Sequence, residues 1–231
     1  MKRLAVISLV AILLSILVPC LHAQTPFDDG LKEFQKENYE EALAYFLKAR
    51  EADKTSSRTA YYVGLTYKVM EKYNEAIPYF RDAATLSPRV DDAIVELVDV
   101  LYHTGNLVEA QKWIGVADKA GINTARFNFV KGMVLAKAKR PDDAIRAFET
   151  AKKLDPRLSQ QAELQIAGIY AEQGKFKDAQ SRLRATINLD PATDLALYAR
   201  DYEKQVTERA EREKVWRFAV GMGYKYDTNV P

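Results

Sequence analysis

The chain has 231 residues, 48% of them hydrophobic and 29% charged, a mixture that excludes a disordered or collagen-like polymer and suits one or two domains. Its 34 basic and 32 acidic side chains leave a formal net charge of +2, which provides no global field for nucleic acid or an anionic membrane. One cysteine and two histidines are too few for a clustered zinc site or a disulfide framework.

The first predicted element is a secretory signal over 1–23. Lys2 and Arg3 precede an apolar run from Leu4 to Val18, and Leu21-His22-Ala23 offers a small residue for cleavage. Pro19 closes that run short of a membrane span. Cleavage after Ala23 would remove Cys20, leaving 32 basic against 32 acidic side chains. Leu17-Val18-Pro19-Cys20 resembles a bacterial lipobox but departs from it at Pro19, so lipidation of Cys20 is the minor expectation.

From Gln24 a period of 34 governs the chain. Ala42/Phe46/Ala49 recurs as Ala76/Phe80/Ala83, Ala110/Ile114/Ala117, Ala144/Phe148/Ala151 and Ala179/Leu183/Thr186. Twelve residues before each leading alanine stands Gly30, Gly64, Val98, Gly132 or Ala167, where a small residue lets one helix lie close to the next. Pro88, Pro156 and Pro191 close three repeats, and the turns within repeats are marked by Gly105, Gly174, Lys72/Tyr73 and Arg140/Pro141. One helix pair cannot bury its apolar face alone, so such units stack into a solenoid with a continuous core.

These residues resemble the tetratricopeptide repeat (TPR) family, helix-turn-helix units with small residues at positions eight and twenty and proline near thirty-two. The resemblance implies an all-α solenoid of five repeats at about 24–56, 57–90, 91–124, 125–159 and 160–193. It further implies that the first helix of each repeat lines a concave groove for a protein or peptide. Position five carries Phe27, Tyr61, Val95, Phe129 and Leu164; position nine carries Leu31, Leu65, Asp99, Met133 and Gly168. Position two adds Arg58 and Arg126, position twelve Lys68 and Tyr102, and position thirteen His103 and Lys137. The expected groove residues are therefore Arg58, Tyr61, Leu65, Lys68, Asp99, Tyr102, Arg126, Phe129 and Met133. The chaperone-binding subgroup uses lysine at position five and asparagine at nine; Tyr61, Leu65, Val95 and Asp99 stand there instead.

Beyond Pro191 the period stops. Leu195, Tyr198, Tyr202, Val206 and Ala210 fall on one face of a predicted capping helix over 194–215, with Glu, Lys and Arg on the other. Then the period changes to two: Trp216, Phe218, Val220, Met222, Tyr224 and Tyr226 alternate with Arg217, Ala219, Gly221, Gly223 and Lys225. The alternation predicts a β-strand within 216–231. Gly223-Tyr224-Lys225-Tyr226-Asp227-Thr228-Asn229-Val230 resembles the opening strand of outer-membrane barrels attached to periplasmic TPR domains. That resemblance implies the front part of a longer, outer-membrane protein, with a barrel not contained in this chain.

The sequence contains no Gly-rich phosphate loop, HExxH or nucleophile elbow, and Asp91-Asp92 and Asp142-Asp143 suit helix starts rather than catalysis. The expectation is an exported, non-enzymatic scaffold without cofactor, metal or nucleic acid, forming the periplasmic arm of an outer-membrane barrel involved in export; the alternative is a free periplasmic adaptor for an envelope complex.

Overall fold

A computed structural model describes residues 25–226, with side chains as far as Trp216. The expected signal segment and Cys20 lie outside the described residues. Among the described residues there are eleven α-helices: α1 (Pro26–Gln35), α2 (Tyr39–Ala52), α3 (Ser57–Val69), α4 (Tyr73–Thr85), α5 (Asp91–His103), α6 (Leu107–Lys119), α7 (Ala125–Lys137), α8 (Pro141–Leu154), α9 (Ser159–Glu172), α10 (Phe176–Leu189) and α11 (Asp194–Tyr226). Each odd helix from α1 to α9 packs on the even helix that follows it, and α11 packs on α10. The result is an all-helical repeat solenoid.

One side-chain device sets the spacing within each pair. A Cβ added at Gly30, Gly64 or Gly132 would lie 2.6, 2.8 or 2.8 Å from the ring of Phe46, Phe80 or Phe148. Those rings are fully buried, so the missing methyl is what lets the inner helix approach the outer one. The other two repeats reach the same end with smaller partners: Val98 is paired in register with Ile114, and Ala167 with Leu183. Where the inner side chain grows, the outer one shrinks, which conserves volume in a close-packed core.

The turn inside each repeat is also constant. Glu37, Glu71, Gly105, Lys139 and Gly174 all adopt positive φ, between 59° and 76°. The next residue returns its N–H to the preceding helix: Asn38 to Glu33, Lys72 to Tyr67, Asn106 to Leu101, Arg140 to Leu135 and Lys175 to Tyr170, each at 2.9 Å. This is the six-to-one bond of a helix terminated by a left-handed residue. Only two of the five positions carry the glycine that such backbone favours.

Repeats four and five are further joined by a closed ring of charges. Lys152 of α8 meets Glu149 at 3.0 Å and Glu163 of α9, and Arg182 of α10 meets Glu149 at 2.8 Å and Glu163 at 3.0 Å. Burial raises the Glu149 carboxyl, but the Lys152 hydrogen bond and the charges of Lys152 and Arg182 outweigh it and hold the group below its ordinary range.

The last helix covers the end of the core. Ala199 and Val206 of α11 are buried with Ala167, Ala171, Ala179 and Leu183, while Asp201 and Lys204 stay in water. The expected β-strand is absent here: residues 216–226 continue α11, and 227–231 lie outside the described residues. A lone strand would leave a row of N–H and C=O groups unpaired, whereas a helix satisfies them within the segment.

The size rule and the charge ring can each be tested. Gly64→Val should lower stability by about 3 kcal/mol, the upper end of overpacking, and adding Phe80→Ile should recover a good part of it, as in the Val98/Ile114 pair; urea unfolding that finds the double variant no more stable than Gly64→Val would refute the size rule. Glu149→Gln should cost about 1 kcal/mol at neutral pH, because Glu149 is partly exposed. A carboxyl depressed in the folded state contributes stability above its unfolded pKa and loses it as pH falls through the folded one, so the difference from wild type should close below about pH 4.

Candidate functional site

The middle inner helix, α5, has inner-helix neighbours on both sides, and every residue from Ala93 to Leu101 is buried. Two of the nine are acids, Glu96 and Asp99, three apart and so on one face. Two carboxylates in so dry a place require compensation. It comes from both neighbours: Lys68 of α3 reaches Glu96 Oε2 at 2.6 Å and also bonds Asp99. Arg126 of α7 reaches Glu96 Oε2 at 2.8 Å and Asp99 Oδ2 at 3.7 Å. Two cations thus balance two anions across three consecutive inner helices.

The four groups differ in exposure, and that difference decides what a partner meets. The side chains of Glu96 and Asp99 are 6% and 11% exposed and Lys68 is 17%, but Arg126 is 57%. Lys68 is therefore occupied inside the protein. Arg126 spends one edge of its guanidinium on the cluster and turns the rest outward, where its planar fork suits a carboxylate.

Other cations sit on aromatic rings. Arg58 Cζ lies 4.6 Å above Phe27, and Lys137 Nζ lies 4.8 Å above Tyr102; both residues are exposed. His103 stacks on Tyr73 at 4.8 Å, meets Tyr102 edge-on at 5.5 Å, and places Nε2 3.5 Å from Asp99 Oδ1.

The expected apolar floor is shared with the core. Tyr61 packs against Phe80 at 6.0 Å and Tyr62 at 5.7 Å. Burial first, then the Glu96 and Asp92 carboxylates, push its phenol well above the usual tyrosine range, so Tyr61 offers a neutral hydroxyl. Phe129 meets Phe148 edge-on at 5.3 Å. Leu65 and Met133 lie half-buried against the central core.

Of the nine expected residues, then, Lys68, Asp99 and Arg126 converge in one cluster. Tyr61, Leu65, Phe129 and Met133 are half-buried against the core, and Arg58 and Tyr102 take part in separate cation–ring contacts. The sequence reading missed Glu96, which accepts from both cations. The signal was present: Ala93-Ile94-Val95-Glu96-Leu97-Val98-Asp99-Val100-Leu101 is an apolar run interrupted by two acids, and buried acids demand partners. Among the described residues no group of three or more His, Cys, Asp or Glu is placed to hold a metal ion.

Comparisons agree with this architecture. The family model described as the TT21 fifth ARM repeats domain matches residues 63–171. Among solved structures, YrrB, described as a TPR protein with an unusual peptide-binding site, is 26% identical, with a TM-score of 0.64 over 76% of this chain and 90% of YrrB. TTC0263, a TPR protein of Thermus thermophilus, is 18% identical, with a TM-score of 0.58 over 79% of this chain and 97% of its own. MamA from Desulfovibrio magneticus RS-1 is 19% identical, with a TM-score of 0.64 over 71% and 93%. No curated protein sequence matches. The chain is an all-helical repeat solenoid whose fold is similar to that of TPR and ARM repeat proteins.

The buried cluster makes a direct forecast. Glu96→Gln leaves Lys68 and Arg126 with one carboxylate between them and should destabilise the fold by about 3 kcal/mol, the low end for breaking a buried pair. Glu96→Ala with Lys68→Met, which removes both charges, should cost less than the sum of its single changes. Strict additivity in urea unfolding would mean that the two groups do not interact.

Proposed function

We propose that this protein is an exported, non-catalytic scaffold whose concave groove holds a segment of a partner or passenger protein. The observation that carries the reading is the sorting of charge along the inner helices. Glu96 and Asp99 in the middle of α5 are buried, while Arg58, Arg126 and Lys137 are exposed beside half-buried aromatic and aliphatic side chains. Such a surface offers contact area at low entropic cost with a few directional cations. The peptide-binding site of YrrB, a 26% identical relative in fold, supports the same use here.

Export rests on the basic and apolar segment ahead of Gln24. Within the envelope the finer assignment is the periplasmic arm of an outer-membrane barrel, supported by the Gly223–Val230 stretch. The helical course of 216–226 favours the alternative, a free periplasmic adaptor.

Blotting native cell fractions with an antibody against 24–191 separates these readings. An outer-membrane band well above 26.2 kDa supports the arm, and a soluble periplasmic band of about 24 kDa, with the leader removed, supports the adaptor. A cytoplasmic band with Met1 intact refutes export. Arg58→Ala with Lys137→Ala, two exposed side chains outside the buried cluster, should cut the yield of a site-specifically crosslinked partner about tenfold at unchanged thermal stability; an undiminished yield would move binding off this face.

A further inference from the structure

Aromatic rings recur at the edge of the solenoid where each inner helix turns into its outer partner. Two register positions lie there, the twelfth of the repeat and the first residue of the outer helix. Repeats one, two, three and five place a ring at one or both: Phe34 and Tyr39 in the first, then Tyr73, Tyr102 and Phe176. Each ring has a partner. Phe34 and Tyr39 meet edge-on at 5.4 Å, Tyr73 stacks on His103 of the next inner helix at 4.8 Å, Tyr102 lies under Lys137 at 4.8 Å, and Phe176 lies under Arg209 at 5.7 Å. The fourth repeat alone has no ring at either position, and Ala136 and Pro141 stand there instead.

At that place the structure has a cavity of about 230 Å³, lined by Ala136 and Lys139 at the end of α7, Pro141 at the start of α8, and Ile169, Glu172 and Gln173 at the end of α9. This is smaller than the about 300 Å³ at which pockets for whole small molecules begin, and it matches a single side chain. Ala136, Pro141 and buried Ile169 supply apolar wall. Lys139 and Glu172 pair at 3.3 Å and are both largely in water, so the exposed side carries no net charge. Gln173 adds a directional group. Its Oε1 is buried without a hydrogen-bond donor, the only such side-chain atom among the described residues, and a buried acceptor left unpaired opposes folding until a donor reaches it. The corresponding places in the two preceding repeats make no such demand: Thr104 donates its hydroxyl to the Val100 carbonyl at 3.0 Å, and Ala138 has no polar side chain.

We propose that this cavity receives a tryptophan side chain of a partner protein: the indole takes the place that a ring of the chain itself takes in the other four repeats, and its N–H donates to Gln173 Oε1. Tryptophan is the aromatic residue whose polar group is a donor only, which matches an acceptor with nothing else to bond. Phenylalanine fills the same space and leaves Oε1 unpaired. The site goes beyond the groove reading, since it lies at the turn edge between repeats four and five and uses none of the nine expected groove residues; it rests on that reading only in that a partner protein supplies the side chain.

The test follows backbone amide resonances of the isotope-labelled full chain, without its leader, by NMR while N-acetyl-tryptophanamide is added as the probe. The amides of Lys139, Ile169 and Gln173 should shift and saturate, and N-acetyl-phenylalaninamide should bind about tenfold more weakly because it leaves the buried acceptor unpaired. Gln173→Leu, which keeps an apolar side chain of similar size and removes the acceptor, should bring the two probes to equal affinity. Ala136→Tyr, which supplies from within the ring that Tyr102 supplies one repeat earlier, should abolish the shifts while thermal stability is kept or raised. Two probes that bind the wild type equally, or a preference for the tryptophan probe that survives Gln173→Leu, overturn the stated chemistry. Saturable shifts confined to groove residues such as Tyr61 and Phe129, and untouched by Ala136→Tyr, overturn the cavity and leave the groove reading standing. No saturable shift up to about 20 mM probe overturns the inference, and the groove reading is then decided by the crosslinking of the Arg58 and Lys137 variants.

Discussion

The close approach of an inner helix to its outer partner, set by glycine against phenylalanine in repeats one, two and four, is the contact from which the other features of this molecule descend. A Cβ at Gly64 would overlap the Phe80 ring, so the backbone and the ring lie in direct contact and the distance between the helices is fixed by one side chain. With that distance set, successive inner helices stack against one another along the solenoid. Val98 with Ile114 and Ala167 with Leu183 show that the constraint falls on the summed volume of the pair rather than on glycine itself. It is also why small residues recur every 34 positions whatever the local composition.

The same stacking creates an electrostatic problem and supplies its solution. An inner helix in the middle of the array is covered on both sides, and α5 nevertheless carries Glu96 and Asp99 in its most buried stretch. Isolated, these carboxylates would oppose folding by several kcal/mol each. Lys68 and Arg126 reach them from adjacent helices, so the cost is met only when repeats two, three and four are assembled together. Charge pairing across the stack therefore couples neighbouring repeats more tightly than apolar contact alone, and the ring of Glu149, Lys152, Glu163 and Arg182 does the same for repeats four and five. The pairing has a second consequence: Glu96 and Asp99 are withdrawn from solvent, and of the four charged groups in the cluster Arg126 is the most exposed.

How much of this was legible beforehand depends on whether a feature is local or relational. The period of 34, the small residues at its nodes and Pro141 at the first position of α8 are local signals, and each states its own structural reason. The left-handed turn at Glu37, Glu71 and Lys139 was hidden because a non-glycine residue announces no such conformation. It is imposed by the two helices it joins, as the matching backbone bonds in all five turns show. Glu96 was hidden for a different reason. A groove assignment by repeat position treats each helix separately, whereas the cluster exists only between helices, so the expectation for Lys68 as a groove residue did not include its role as an internal counter-ion to Glu96 and Asp99.

The segment after Val215 teaches the same lesson from the other side. Alternation of Trp216, Phe218, Val220, Met222, Tyr224 and Tyr226 records which residues would share a face if the backbone were extended, but it supplies no partner for the backbone itself. A strand draws its hydrogen bonds from neighbours, and a helix from its own preceding turn. Residues 216–226 follow a helix already more than twenty residues long, so each added residue extends an existing ladder and avoids the cost of nucleation. Periodicity in a sequence is a statement about side chains, and the backbone obeys it only where the surrounding structure can satisfy its polar groups.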